Sequence, residues 1–291
     1  MEPSREIVRR VEIAAGNDRY ILTVEREDFS AVYPGMVRFT VAVTTGGKTT
    51  AVFRTNTYEY SPLVPIRAGE TAMETADAWE SDLRADPAAF FAGRPAEPQY
   101  PPPPSPADLV VIQGSPRGDG NCSIAAGWAA DVARKLGRTS QVIYPHDLDI
   151  HCCIGCYQCY NTGTCVFADD MKGIIDAIRG AAVMVICSPV YTHTVTAGLK
   201  LVIDRSQAYH AERTLTGGRT GQKGLIIAVA GRQGKTNFTC VTRVLAAFFL
   251  NLGIEPSGEI LIDRVDAVRD IRSIDGMEVR VRDAVRICMG G

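Results

Sequence analysis

Five of the chain's nine cysteines fall within one short stretch, His151-Cys152-Cys153-Ile154-Gly155-Cys156-Tyr157-Gln158-Cys159, closed by Cys165. Counted from Cys153, four of them follow the spacing C-x2-C-x2-C-x5-C. Thiols this close are bonded to something, kept reduced, or catalytic. Three thiolates at intervals of three can wrap one soft metal centre, and a fourth closes the sphere after a turn through Asn161-Thr162-Gly163-Thr164. Such donors favour iron–sulfur clusters, zinc and copper(I). The spacing is unlike the paired ligands of zinc knuckles. Free redox-sensing thiols and disulfides are the remaining alternatives. Taking Cys152 as first ligand would give C-x3-C, so it reads as a bystander or spare ligand, and His151 reads as a loop residue. Cys187, Cys240 and Cys288 lie inside apolar patterns and read as inert small hydrophobes.

A second chemical region is Gly114-Ser115-Pro116-Arg117-Gly118-Asp119-Gly120-Asn121-Cys122-Ser123. It follows a short apolar run and opens into a helical pattern. Gly114, Gly118 and Gly120 let backbone fold close to a ligand, while Ser115, Asn121 and Ser123 offer donors. The helix N-terminus adds free N–H groups, and Arg117 could clamp a phosphate. The alternative is a glycine-rich turn with Asn121 or Ser123 as N-cap. No Gly-Lys-Ser/Thr follows and Gly-x-Gly-x-x-Gly is absent, so a mononucleotide phosphate fits better than a triphosphate or a dinucleotide.

The elements that must position these residues are legible on either side of a proline-rich segment, Pro95 to Pro106, which cannot form a helix or a central strand and suits a polyproline II spacer. The chain therefore divides into residues 1–94, a linker over 95–107, and 108–291. Upstream, Tyr20, Leu22 and Val24 suggest one strand. Val37, Phe39, Val41 and Val43 alternate along another, with Arg38, Thr40 and Thr44 on its second face. Gly46-Gly47 offers a two-residue hairpin turn into a strand carrying Ala51, Phe53 and Thr55. Ala72, Ala76, Trp79 and Leu83 recur at helical spacing. The reading is a small α+β domain with an antiparallel sheet, Trp79 belonging to its core. Downstream, apolar strands at 109–112, 142–144, 183–186, 225–229 and 259–262 alternate with helical stripes, the last ending near Ile287. That pattern predicts an α/β fold with a parallel sheet covered on both faces.

With 291 residues, 46% hydrophobic and 22% charged, the chain can bury one large or two ordinary cores. A formal net charge of -2 gives no reason to expect nucleic acid or an anionic membrane as partner. The first residues carry no apolar leader and no run approaches a membrane span, so a cytoplasmic location with reduced thiols is expected.

Three motifs in order carry a resemblance over residues from about 108 onward. Gly-Ser-Pro-Arg-x-x-Gly-Asn-x-Ser at 114–123 resembles the phosphate loop of the NADPH-dependent FMN reductase group of flavodoxin-like proteins. Ser188-Pro189-Val190-Tyr191, followed by Ala197-Gly198-Leu199-Lys200 and Ile203-Asp204-Arg205, resembles that group's third-strand loop and helix. The cysteine run ending in Asp169-Asp170-Met171 is similar to the motif of its iron–sulfur flavoprotein branch. The resemblance implies a doubly wound, five-stranded flavodoxin-like sheet binding FMN, with a [4Fe–4S] cluster on the loop after the second strand. By position, Ser115, Arg117, Asn121 and Ser123 would hold the FMN phosphate, with Cys122 serving through its backbone N–H. Pro189, Val190, Tyr191, Thr192 and His193 would line the isoalloxazine, and Gly231 would approach from the other side. Cys153, Cys156, Cys159 and Cys165 would be the cluster ligands. His193 reads equally as a flavin donor or an ordinary loop residue, and Asp204-Arg205 as a structural ion pair at a helix end. The implied function is a redox flavoprotein served by ferredoxin or NAD(P)H, forming a homo-oligomer (dimer or tetramer), with no catalytic acid, base or nucleophile demanded. The alternatives are an NAD(P)H-dependent FMN or quinone reductase without a cluster, and a zinc-stabilised flavodoxin-like binding module.

Overall fold

The computed structural model describes residues 4–15, 18–61, 63, 65–92, 94, 107–217 and 221–290. The proline-rich segment 95–106 lies outside these residues. The chain divides into two compact units, the first comprising residues 1–101 and 155–164, the second 102–154 and 165–291.

The first unit is an antiparallel meander of β1 (Ser4–Ala15), β2 (Asp18–Asp28), β3 (Val37–Thr45) and β4 (Lys48–Asn56), paired in that order. Gly46 and Gly47 both take positive φ, as the tight turn from β3 to β4 requires. Helix α1 (Ala68–Ala85) buries Ala72, Ala76, Trp79 and Leu83. These meet Leu22, Val24, Val41, Val43 and Ala51 of the sheet and Phe90 of the short α2 (Pro87–Ala92). Trp79 is thus core, its ring edge-on to Phe90 with 5.4 Å between centroids. β1 carried no alternation in the sequence, because as an edge strand it exposes most of its side chains.

Some polar residues of this sheet are buried. Arg38, Glu27, Thr55 and Asn56 are all buried. Arg38 Nε donates to Glu27 Oε2 at 2.7 Å, and its Nη1 donates to the Tyr160 carbonyl at 3.0 Å. Burial pulls the Arg38 guanidinium below its ordinary value, and Glu27 opposes that pull. Asn56 donates to Asn161 Oδ1 at 2.8 Å, and Asn161 donates to Glu59 Oε1 at 2.6 Å. Tyr58 meets Tyr157, and Tyr33 meets Tyr160, each edge to face at 5.0 Å. The segment Gly155–Thr164, with the single turn α4 (Cys159–Thr162), is therefore built into this unit by hydrogen bonds and ring contacts.

The second unit is a parallel sheet of β5 (Leu109–Gln113), β6 (Ser140–Ile143), β7 (Val183–Pro189), β8 (Lys223–Val229) and β9 (Glu255–Ile262). The spatial order is β6-β5-β7-β8-β9, the 2-1-3-4-5 order of a flavodoxin-like fold. Leu109, Val111, Val185 and Ile227 pack with α3 (Asn121–Lys135) and α10 (Met277–Cys288) on one face. Gly114 and Gly224, of the opposite parity, lie against Leu199 of α6 (Ala197–Arg205) and Phe249 of α8 (Thr239–Asn251). A Cβ on Gly224 would stand 2.6 Å from the Phe249 ring, so glycine is what permits that approach. Helices α5 (Met171–Gly180), α7 (Gln207–Thr216) and the single turn α9 (Val265–Val268) complete the unit. Among the described residues, no helix is long and apolar enough to cross a membrane.

Candidate functional site

The loop after β5 is braced from beneath by Gln113, which is fully buried. Its Oε1 accepts from the Ser115 N–H at 2.5 Å, and its Nε2 donates to the Arg117 carbonyl and to Ser123 Oγ at 3.1 and 2.6 Å. Ser115 Oγ accepts from the Arg117 N–H at 3.2 Å. Gly114 sits so close to Leu199 that a Cβ would lie 2.7 Å from Leu199 Cδ2. Its carbonyl accepts from Thr196 Oγ1 at 2.5 Å. Gly120 is the N-cap of α3 and gives no side-chain cap, so neither Asn121 nor Ser123 takes that role. The first N–H groups of α3 are left for a ligand, with the partial positive charge of a helix start.

This loop forms one wall of a cleft of about 650 Å³, a size usual for small-molecule sites. Ser115, Arg117, Asn121 and Cys122 line it, as do Pro189, Val190, Tyr191, Thr192 and His193 after β7 and Gly231 after β8. Thr192 and His193 take positive φ in a tight turn, closed by reciprocal backbone bonds between Tyr191 and Thr194 at 2.9 Å. Ser123 is not among the lining residues. Its hydroxyl accepts from Gln113 and donates to the Arg117 carbonyl at 3.1 Å. Asn121 lines the cleft, but its amide is engaged elsewhere, donating to the Arg269 carbonyl and accepting from the Ile271 N–H, each at 3.0 Å. Burial pushes the Cys122 thiol up to about 12, so it stays protonated.

The segment after β9 supplies a wall that the sequence did not announce. Asp266, Arg269, Asp270 and Arg272 line the cleft, together with Arg232 after β8. Arg264 and Arg269 hold left-handed backbone (φ 61° and 66°), a conformation uncommon outside glycine and one that collects at functional sites. Asp266 lies over Gly231, where a Cβ would meet its carboxylate at 2.3 Å. Arg272 is held by Asp270 at 2.6 Å. Among the described residues Arg117, Arg232 and Arg269 show no ion pair.

The cysteine run follows β6. Its ends are clipped together within the second unit: the Asp149 N–H donates to Asp170 Oδ2 at 2.8 Å and the His151 N–H to Asp169 Oδ2 at 3.0 Å. Gly163 (φ 72°) terminates α4, its N–H bonded to the Cys159 carbonyl at 2.7 Å. Cys152 and Cys153 are exposed, and Cys156, Cys159 and Cys165 are half-buried. None of the nine cysteines is in a disulfide. Cys187 and Cys288 are buried as expected, whereas Cys240 is exposed on α8 and is not a core residue. Among the described residues, no three His, Cys, Asp or Glu side chains gather at metal-binding distance.

Arg205, buried at the end of α6, binds Asp169 through Nη1 and Nη2 at 2.6 and 2.9 Å. Burial alone would raise the Asp169 carboxyl, but these bonds and the N–H donors of His151 and Met171 hold it down at about 2. A folded value below the ordinary 3.8 means that this pair stabilises the fold above pH 4 and stops doing so as pH falls towards 2. Roughly 2 kcal/mol of stability is expected to disappear over that window. Denaturant unfolding at pH 5 and pH 2 checks it, with a smaller pH effect expected for Asp169→Asn.

A family model described as NADPH-dependent FMN reductase matches residues 107–266, which contain β5 to β9 and every loop of the cleft up to Asp266. The chain belongs to that family. An iron–sulfur flavoprotein of Methanocaldococcus jannaschii is 33% identical over 99 residues, 34% of this chain and 51% of the relative. One from Archaeoglobus fulgidus is 34% identical over 151 residues, 51% of this chain and 65% of the relative. The match thus spans about half the length of the first of these relatives. A solved flavone reductase aligns over 62% of each chain at 15% identity and a TM-score of 0.47. The fold assignment rests on the strand order rather than on that alignment.

The cleft residues fit the family's flavin phosphate: an uncapped helix start, Arg117 without a carboxylate partner, and glycines where backbone must come close. The four cysteines fit an iron–sulfur cluster in donor type and number.

Proposed function

We propose that this chain is an FMN-dependent oxidoreductase that exchanges electrons between FMN in the cleft and a [4Fe–4S] cluster on Cys153, Cys156, Cys159 and Cys165. The outside partner is a small redox donor or acceptor, ferredoxin or NAD(P)H, in the cytosol, where thiols stay reduced. The observation that carries this reading is the cleft at the carboxyl ends of β5, β7 and β8, where open α/β sheets bind ligands, with Arg117 and the α3 start facing it. FMN supplies two-electron and one-electron chemistry, and a cluster passes single electrons.

The protein's own residues bind and orient. Gln113 holds the Ser115–Arg117 turn so that Arg117 and the α3 N–H groups meet a phosphate together. The Tyr191–Thr194 turn and Gly231 flank the space left for the ring. No side chain need act as acid or base. The names of the curated relatives support the cluster half of the proposal. The family model's description, NADPH-dependent FMN reductase, supports a second reading, an NAD(P)H-dependent FMN or quinone reductase without a cluster. The assembly proposed with this reading is a homo-oligomer, a dimer or tetramer.

The flavin half is tested by Arg117→Ala. A charge-assisted bond to the phosphate contributes enough that FMN affinity is expected to fall roughly tenfold to a hundredfold. Riboflavin, which has no phosphate, is expected to bind the variant and the parent alike. Isothermal titration with both ligands decides, and equal losses would make the loop merely structural.

A further inference from the structure

The matched family region ends at residue 266, and Arg269, just beyond it, still lines the cleft with Arg117, Gly120 and Asn121. Its place is fixed by Asn121, the first residue of α3. Asn121 Nδ2 donates to the Arg269 carbonyl, and the Ile271 N–H donates to Asn121 Oδ1, both at 3.0 Å. The backbone entering these anchors is strained. Arg269 has φ 66° and ψ -45°, and the Asp270 N–H donates to the Val268 carbonyl at 2.8 Å, closing a three-residue turn of the rare kind with positive φ at its centre. A residue with a side chain holds that conformation at a cost that glycine avoids. An arginine there asks for a reason.

The phosphate end of the cleft has a shortage that an arginine meets. A phosphate monoester carries about -1.5 to -2 charges and three acceptor oxygens near neutral pH. Asn121 and Ser123, the two polar side chains at the start of α3, are both engaged elsewhere, Asn121 with Arg269 and Ile271, Ser123 with Gln113 and the Arg117 carbonyl. Ser123 and Ile124 return their N–H groups to the Gly120 carbonyl at 2.9 and 3.1 Å. Among the described residues this leaves the Ser115 hydroxyl, the N–H groups of Asn121 and Cys122, and Arg117. That is one full positive charge and the partial charge of a helix start. Three carboxylates also line the cleft. Asp270 is held by Arg272 at 2.6 Å, and among the described residues neither Asp119 nor Asp266 pairs with Arg269.

We propose that Arg269 is a second phosphate-binding arginine of this flavin site, and that Asn121 is a positioning residue that gives up its own contact with the phosphate to hold Arg269 beside the start of α3. This rests on the reading of the cleft as the FMN site. Two guanidinium groups and a helix start balance a dianion that one arginine leaves half-answered. The strained turn at Arg269 is what brings a side chain from beyond β9 to that end of the cleft.

Isothermal titration of the full-length chain, freed of flavin, with FMN and with riboflavin tests the proposal. Arg269→Gly removes the guanidinium and relieves the turn, so the variant is expected to resist denaturant at least as well as the parent while its FMN affinity falls about tenfold. Riboflavin, which lacks the phosphate, is expected to bind as before. Asn121→Ala is expected to weaken FMN binding in the same sense, and to add little in the Arg269→Gly background, because its effect runs through Arg269. Should Arg269→Gly not fold, Arg269→Asn, which also tolerates positive φ, takes its place. Unchanged FMN affinity, or equal losses for FMN and riboflavin, overturns the inference while the FMN reading stands. Fully additive losses overturn the positioning role of Asn121. A parent chain that binds riboflavin as tightly as FMN removes the phosphate site itself, and the inference with it.

Discussion

Replacing Cys153, Cys156, Cys159 or Cys165 by alanine, one at a time, is expected to take anaerobically prepared protein from about four irons per chain to almost none. Loss of one thiolate opens an iron to solvent and labilises the rest, while FMN, held by the loops after β5, β7 and β8, is expected to stay bound. Cys152→Ala and Cys240→Ala are the controls, since both thiols are exposed and lie outside the spacing. Cys122 and Cys187 cannot substitute as ligands, because burial pushes both thiols up and keeps them protonated. Iron, sulfide and flavin analysis of each variant reads the result. Wild-type protein with full FMN and no iron would turn the account to the flavin reductase without a cluster.

The second large effect is expected in the first unit. Arg38→Ala leaves the buried Glu27 carboxylate with only the exposed Arg5, at 3.5 Å, and breaking one half of such a pair costs about 3–5 kcal/mol. The Tyr160 carbonyl loses its donor in the same step. Replacing both residues, Arg38→Met with Glu27→Leu, is expected to recover most of the loss, because an apolar pair leaves no charge to desolvate. Denaturant unfolding of the single and double variants separates the two outcomes. A single variant as stable as the parent would show that Glu27 reaches solvent or protonates freely.

Much of the second unit was legible because its strands are continuous apolar runs between helical stripes, a pattern that only a parallel sheet covered on both faces satisfies. The β5 loop was legible in part. Glycines and Arg117 pointed to a ligand loop, and Gly120 and Arg117 line the cleft, but Ser123 reads as a donor until Gln113 is seen occupying its hydroxyl. The arginine wall after β9 was not legible, since Arg232 and Arg269 meet only through the order β8-β9 and carry no motif. Nor did any glycine mark the left-handed turns at Arg264 and Arg269. In the first unit, alternation gave the strands and the α1 stripe, yet said nothing of what covers the polar face. Asn56 and Asn161 are ordinary polar residues until the fold brings them within 2.8 Å across 105 positions of chain. β1 escaped notice because an exposed edge strand has no apolar alternation to display.

Translation makes one consequence of the Gly155–Thr164 segment plain. The N-terminal unit is discontinuous, so the emergence of residues 1–94 from the ribosome does not complete it. Arg38, Asn56 and Glu59 must wait for Tyr160 and Asn161, by which time β5, α3 and β6 have already been synthesised. A nascent chain halted before Gly155 carries a finished apolar core and an unanswered polar face. Its closure coincides with the delivery of Cys156 and Cys159, so the N-terminal unit is completed only when most of the cysteine run has been synthesised.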